Sequence, residues 1–144
     1  MQIDKKDRQL LLLLSENARS SVSDLARALG LARTTVQARI ERLENTGYIA
    51  GYTLRKGPSA RPVLRASALL SVEPRAGAAV LQKLKTLPQV EKVHTTSGRF
   101  DLVVELSAQS TEELDETLDD IGAARGVKSS ESLIHLSTKI DRSA

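Results

Sequence analysis

Arg33, Thr34, Gln37 and Ala38 lie in one stretch, ARTTVQARIERLEN, that contains neither Gly nor Pro. On a helical period Val36, Ile40 and Leu43 form an apolar line. Thr34, Ala38, Glu41 and Asn45 lie opposite, with Thr35 and Gln37 on the shoulders. These are side chains suited to base edges. Arg takes guanine bidentately, Gln takes adenine, and Thr or Ala meets a thymine methyl. Thr35, Arg39 and Arg42 are placed for phosphates, as is Ser21 at the start of the preceding helix. Arg39 and Arg42 have a competing assignment, in which they pair with Glu41, Glu44 or a neighbouring helix. A second constellation is Ser97-Gly98-Arg99-Phe100-Asp101. Gly98 permits a tight turn that leaves amides open to a carboxylate, and Asp101 can take an amino group. Ser130 and Ser132 offer hydroxyls. From the residues alone a plain hairpin turn with a solvated Asp101 is the simpler reading.

The elements that must hold the first set begin with Ala26, Gly30 and Val36, spaced as a helix-turn-helix requires. Ala26 permits close packing, Gly30 takes the positive φ of the turn, and Val36 anchors the second helix. Leu25, Leu29, Leu31 and Ile40 complete the small core. Such a unit places its second helix in the DNA major groove. A first helix is expected over Asp4–Ser15, with Asp4 and Asp7 near the positive end of its dipole. Ser21 is the expected cap of a helix over Val22–Leu29, and Arg33–Asn45 is the next helix, stopped by Gly47. Tyr48–Leu54 alternates and reads as a strand. The segment Arg55–Pro62, rich in Pro, Gly, Ser and positive charge, reads as a linker, and its Arg55, Lys56 and Arg61 can touch DNA or merely keep the segment soluble.

The second half changes character. Strands are expected over Val63–Val72, Val90–Ser97, Phe100–Leu106 and Val127–Leu136. One helix is expected to open at Pro74 and run to Pro88, carrying Val80, Leu84 and Leu87. Another, Thr111–Ile121, is capped by Ser110. The order βαββαβ predicts a ferredoxin-like split βαβ unit. Helices cover one sheet face only, so a second copy is expected on the other. The domains are then residues 1–54, a linker 55–62, and 63–144.

Composition narrows the function. The 144 residues carry a net charge of +3, distributed unevenly. Residues 1–60 hold ten basic and six acidic side chains, and the remainder eleven and twelve, so the basic excess accompanies the helix-turn-helix. The absence of Cys excludes disulfides and thiolate metal sites. Two Tyr and one Phe are too few for a base-stacking platform. No apolar run reaches membrane length, and a charged N-terminus lacks the signal-peptide pattern, so a cytosolic protein is expected. Enzyme signatures are missing: there is no phosphate loop, no G-x-S-x-G and no paired-His metal motif. His94 and His135 fall on opposite edges of the expected sheet.

Ile3-Asp4 with Asp7-Arg8, Asp24-Leu25-Ala26, Gly30-Leu31, Val36, Arg39-Ile40, Arg42-Leu43-Glu44, Gly47-Tyr48-Ile49 and Gly51-Tyr52 resemble the DNA-binding half of the Lrp/AsnC family of transcriptional regulators. Gly98-Arg99-Phe100-Asp101 resembles that family's G-x-[FY]-D turn. Gly126-Val127 with Ser130 and Ser132 resembles its closing strand. The resemblance runs from about residue 3 to 137. It implies an α+β chain with a winged helix-turn-helix domain followed by a ferredoxin-like βαββαβ domain. It implies a sequence-specific regulator of double-stranded DNA, a homodimer assembling to tetramers or octamers, in the cytoplasm and associated with the nucleoid. It implies no cofactor beyond a small effector, an amino acid, at Ser97, Gly98, Arg99, Phe100, Asp101, Ser130 and Ser132. Ala32 departs from the pattern, since a Ser usually caps the recognition helix there. The alternatives are a chromatin-organising protein without effector and, more remotely, an enzyme resembling the sirohaem decarboxylases.

Overall fold

The computed structural model describes residues 2–57, 59–60 and 63–143. The chain divides into two compact units, residues 1–57 with 143–144, and residues 58–142. Of the expected linker, Pro58, Arg61 and Pro62 lie outside the described residues, so the contribution expected of Arg61 is not among the positions described.

The first unit holds three helices: α1 (Lys5–Glu16), α2 (Val22–Leu29) and α3 (Arg33–Asn45). Each start has a local cause. Asp4 caps α1 by accepting from the Asp7 amide, and Asp7 returns the bond to the Asp4 amide, which closes a capping box. The Ser21 hydroxyl caps α2 by accepting from the Asp24 amide at 3.0 Å. Gly30 ends α2 at φ 67, where a side chain would cost strain. Lys6 Nζ donates to the Leu29 carbonyl at 2.6 Å and so satisfies an orphan acceptor at that same end. Leu10, Leu14, Leu25, Ala26, Leu29, Val36 and Leu43 form the buried core, and Leu31 and Ile40 are partly buried against it.

Residues 48–54 do not form the expected strand. A strand exists only through a ladder, and among the described residues none pairs with this segment. The Ile49 amide instead bonds back to the Leu43 carbonyl at 2.9 Å, and Tyr48, Tyr52 and Leu54 remain exposed.

The second unit comprises β1 (Leu64–Val72), α4 (Gly77–Lys85), β2 (Val90–Thr95), β3 (Leu102–Ala108), α5 (Thr111–Gly122) and β4 (Val127–Ile134). All pairings are antiparallel, in the order β2-β3-β1-β4, which is the expected ferredoxin-like sheet. Ala66, Ala68 and Leu70 of β1 register against Leu106, Val104 and Leu102 of β3. With Val80, Leu84, Leu114 and Ile121 they form the core between sheet and helices. Ser110 caps α5 as expected, accepting from the Glu113 amide at 3.1 Å.

Pro74 does not open a helix. Glu73-Pro74-Arg75-Ala76 is a turn, closed by the Ala76 amide on the Glu73 carbonyl at 3.0 Å, with Arg75 at φ 69. Pro in the second place and a left-handed third place define a type II turn, and the helix starts only at Gly77. Strand bounds also differ from those expected: β2 stops before Thr96, β3 is displaced by two residues to Leu102–Ala108, and β4 stops at Ile134.

Candidate nucleic-acid interface and effector turn

Val36 and Leu43 bury one side of α3 completely, and Ile40 lies partly buried beside them. The opposite side is therefore open: Arg33, Thr34, Thr35, Gln37 and Ala38 are all exposed. Arg33, Thr34, Gln37 and Ala38 fall in the N-terminal half, from which a recognition helix reaches bases. Ala32 is the N-cap in extended geometry (φ −70, ψ 150), and no side chain caps this end. Its first amides therefore add positive potential toward an approaching phosphate. Ser21 is exposed at the start of α2.

Arg39 and Arg42 differ from the rest. Arg39 Nη1 bonds Asp4 at 2.8 and 2.9 Å and Asp7 Oδ1 at 2.9 Å. Arg42 Nη2 bonds Asp7 Oδ2 at 2.7 Å. Both guanidinium groups thus pair with a neighbouring helix, α1, and not with Glu41 or Glu44. Arg39 is 22% exposed and has its charge committed, whereas Arg42 remains 48% exposed. The Arg39 guanidinium, aided by the Asp7 amide, holds the Asp4 carboxyl at about 2. Asp4 first and Asp7 second raise the Arg39 pKa in return. Sequence reasoning gave Asp4 and Asp7 only a dipole role. The available signal was that both pairs, Asp4/Asp7 and Arg39/Arg42, stand one turn apart on their helices.

The Gly98 turn joins β2 to β3, with Gly98 at φ 107. The Thr96 amide donates to the Asp101 carbonyl at 3.1 Å, and Thr96 Oγ1 donates to the Phe100 carbonyl at 2.7 Å. Asp101 acts as a fastener. Its amide donates to the Leu70 carbonyl, and its Oδ2 accepts from the Val72 amide at 2.7 Å. One carboxylate oxygen expected to be available for an amino group is therefore engaged with the end of β1. Arg99 lies 4.9 Å from the Phe100 ring centroid, within cation–π range, with its Nη2 3.9 Å from Glu131.

The two serines lie on the helix-covered face of the sheet. Ser130 and Ser132 register against Leu70 and Ala68, whose side chains are buried beneath the helices, so they share that face. A Cβ on Gly122 of α5 would stand 3.2 Å from Ser130 Oγ, which agrees. Glu131 points the other way and is the β4 residue that reaches Arg99. Sequence reasoning missed it because facing follows from register. His94 lies 4.0 Å from Glu105 on edge strand β2, and His135 bonds Ser67 beyond the end of β4 at the other edge. Among the described residues no cluster of metal-ligating side chains occurs, and no helix is long and apolar enough to cross a membrane.

Residues 3–44 match the AsnC-type helix-turn-helix domain and residues 65–144 the Lrp/AsnC ligand binding domain. The chain is 29% identical over 135 residues to the HTH-type transcriptional regulator FL11 of Pyrococcus furiosus, covering 93% of this chain and 89% of that one. An uncharacterized HTH-type transcriptional regulator of the same organism is 32% identical over 139 residues, with 95% and 94% covered. Among solved structures, E. coli AsnC superposes with a TM-score of 0.89 at 25% identity, covering 100% of this chain and 99% of that one. The feast or famine regulatory protein from M. tuberculosis complexed with L-methionine gives 0.84 at 28%, covering 96% and 95%.

Proposed function

The chain belongs to the Lrp/AsnC family of transcriptional regulators, and on that premise we propose that it binds double-stranded DNA sequence-specifically through α3 under the control of a small effector. The observation that carries this reading is the two-sided character of α3. Its buried Val36 and Leu43 force Arg33, Thr34, Gln37 and Ala38 outward, and those four are the base-reading residues. Thr35, Arg42 and Ser21 contact phosphates. Arg39 supports the helix from behind, as its bonds to Asp4 and Asp7 indicate.

The effector is an amino acid held at the Gly98 turn, at Ser97, Gly98, Arg99, Phe100 and Asp101. The methionine bound to the M. tuberculosis relative supports this class of ligand. Turn amides take its carboxylate, and Arg99 and Glu131 bracket it with charge. Ser130 and Ser132 enter such a site only from another copy, since in their own protomer they face the helices. The chain works as a homodimer that assembles further to tetramers or octamers. Leu69, Val103 and Leu133, on the sheet face away from the helices, support a second copy packed there.

The test is a titration on the DNA upstream of its own coding sequence and on a scrambled fragment, at two salt concentrations, with and without a pool of amino acids. Preferential binding that the pool alters is expected. Preference unmoved by the pool refutes the effector, and equal, salt-steep binding to both fragments replaces the regulator with a chromatin-organising role. No binding to either, with Soret absorbance on adding sirohaem, replaces it with the decarboxylase reading.

A further inference from the structure

Between α1 and α3 lies a cluster of two carboxylates and two guanidinium groups. Asp7 is 0% exposed and both its oxygens are engaged, Oδ1 by Arg39 and Oδ2 by Arg42 and the Asp4 amide. Arg39 Nε is buried, with no hydrogen-bond partner among the described residues. Such a cluster contributes little net stability. Desolvation offsets its Coulomb attraction, and apolar side chains of similar volume often serve as well. Its particular property is direction, because a guanidinium holds a carboxylate at a set angle while packed leucines can slide. Arg39 and Arg42 stand one turn apart on α3. Fixing both on one buried carboxylate sets the rotation of α3 about its own axis and its shift along α1. The row Arg33, Thr34, Gln37 and Ala38 belongs to the same rigid helix, so any rotation reaches the base-reading side chains directly.

We propose that Asp7 is a positioning residue for DNA reading: through Arg39 and Arg42 it sets the angle at which α3 presents its outer face, and it holds the half-exposed Arg42 toward a phosphate. The inference rests on α3 being the reading helix. It makes a prediction opposite to that of net charge. Removing an anion beside a DNA-facing surface tightens binding to every sequence alike. Loosening α3 instead lowers affinity for the preferred site relative to random DNA.

Asp7→Asn keeps the shape but sets amide hydrogens against guanidinium hydrogens. The full chain, Asp7→Asn and Arg42→Ala are titrated at several salt concentrations on a duplex selected from a random pool and on an unselected duplex, with thermal melts of each. Asp7→Asn is expected to lower the selected-to-random affinity ratio about tenfold, the size of one lost base contact. Arg42→Ala removes a phosphate contact and one of the two anchors while leaving Arg39 in place, so it is expected to weaken both duplexes, to flatten the salt slope by about 0.9 and to lower the ratio by less than Asp7→Asn does. Parallel tightening on both duplexes by Asp7→Asn, with the ratio unchanged, overturns the proposal. Should Asp7→Asn fail to fold, Asp4→Asn loosens the same cluster from its exposed end and must lower the ratio in the same direction; an unchanged ratio there also overturns it. Arg33→Ala and Gln37→Ala act as the control. If neither changes the ratio, the reading of α3 itself fails; if both do and Asp7 does not, only the positioning role is lost.

Discussion

Gly126 precedes β4 at φ 99, and a methyl group placed there would stand 2.6 Å from Ala76 Cβ and 3.1 Å from Val80 Cγ2. Gly98 has a comparable φ of 107, but a methyl group there would meet nothing within 4 Å. The two Gly→Ala changes therefore share one cost and differ in another. Left-handed backbone strain is common to both, of order 1–3 kcal/mol. Overpacking falls on Gly126 alone and adds about 1–3 kcal/mol, because α4 must shift or Val80, which is fully buried, must leave its rotamer. Gly126→Ala should thus cost about 2–6 kcal/mol and Gly98→Ala about 1–3. Against a domain stability of about 5–15 kcal/mol, the first is close to unfolding and the second is not. Urea titration followed by far-ultraviolet circular dichroism measures both, with linear extrapolation to water. Equal losses for the two variants, or a larger loss at Gly98, would refute the packing argument. The backbone term is common to both variants and cancels in their difference.

Ala32→Ser should stabilise the chain by about 1 kcal/mol, since the N-cap backbone is already extended and only the acceptor is lacking; a melting temperature that does not rise counts against this. The Arg39 guanidinium, with the Asp7 amide, lowers the Asp4 carboxyl from 3.8 to about 2 in the fold, so between those values the unfolded chain binds more protons. The resulting stability is present above the unfolded value and is lost as pH falls from about 4 toward 2. Asp4→Asn keeps a good N-cap and removes this dependence, and acid melts that change in parallel for both proteins would show the Arg39 contact to be inert. Arg75→Gly relieves a left-handed residue at φ 69 and should gain about 0.5–1 kcal/mol net of glycine's added freedom; a loss in the same melt would show that the Arg75 side chain makes a stabilising contact.

What could be read from the chain was mostly local. Ser21 and Ser110 place two helix starts to the residue, and Gly30 places a stop, because caps and left-handed ends depend on neighbours a few positions away. Alternation over Phe100–Leu106 placed Leu102, Val104 and Leu106 on the buried face of β3 for the same reason, although the strand itself runs over Leu102–Ala108. Tyr48–Leu54 failed as a strand because β-structure needs a partner, and alternation alone supplies none. Pro74 was ambiguous, being equally suited to the first turn of a helix and to the second place of a type II turn; Arg75 decided it, and nothing in an arginine announces a positive φ. For the site, the outward row of α3 was readable from its period. The Asp7 contacts were not, since they join residues 32 and 35 apart whose facing depends on how α1 crosses α3. The facing of Ser130 and Ser132 toward the helices likewise depended on the register of β4 against β1.

That register also has a consequence in time. β1 pairs with β4, as the contact between Ser67 and His135, 68 residues apart, illustrates. The longest side-chain link between α1 and α3 spans 35 residues. Chain closure over longer loops costs more entropy, and folds dominated by distant pairings form more slowly. A ribosome delivers the N-terminal end first. The helices α1, α2 and α3 are therefore all delivered while β1, an inner strand of the sheet, still lacks its neighbour β4. During synthesis, the three helices of the helix-turn-helix domain can meet before the four-stranded sheet can close.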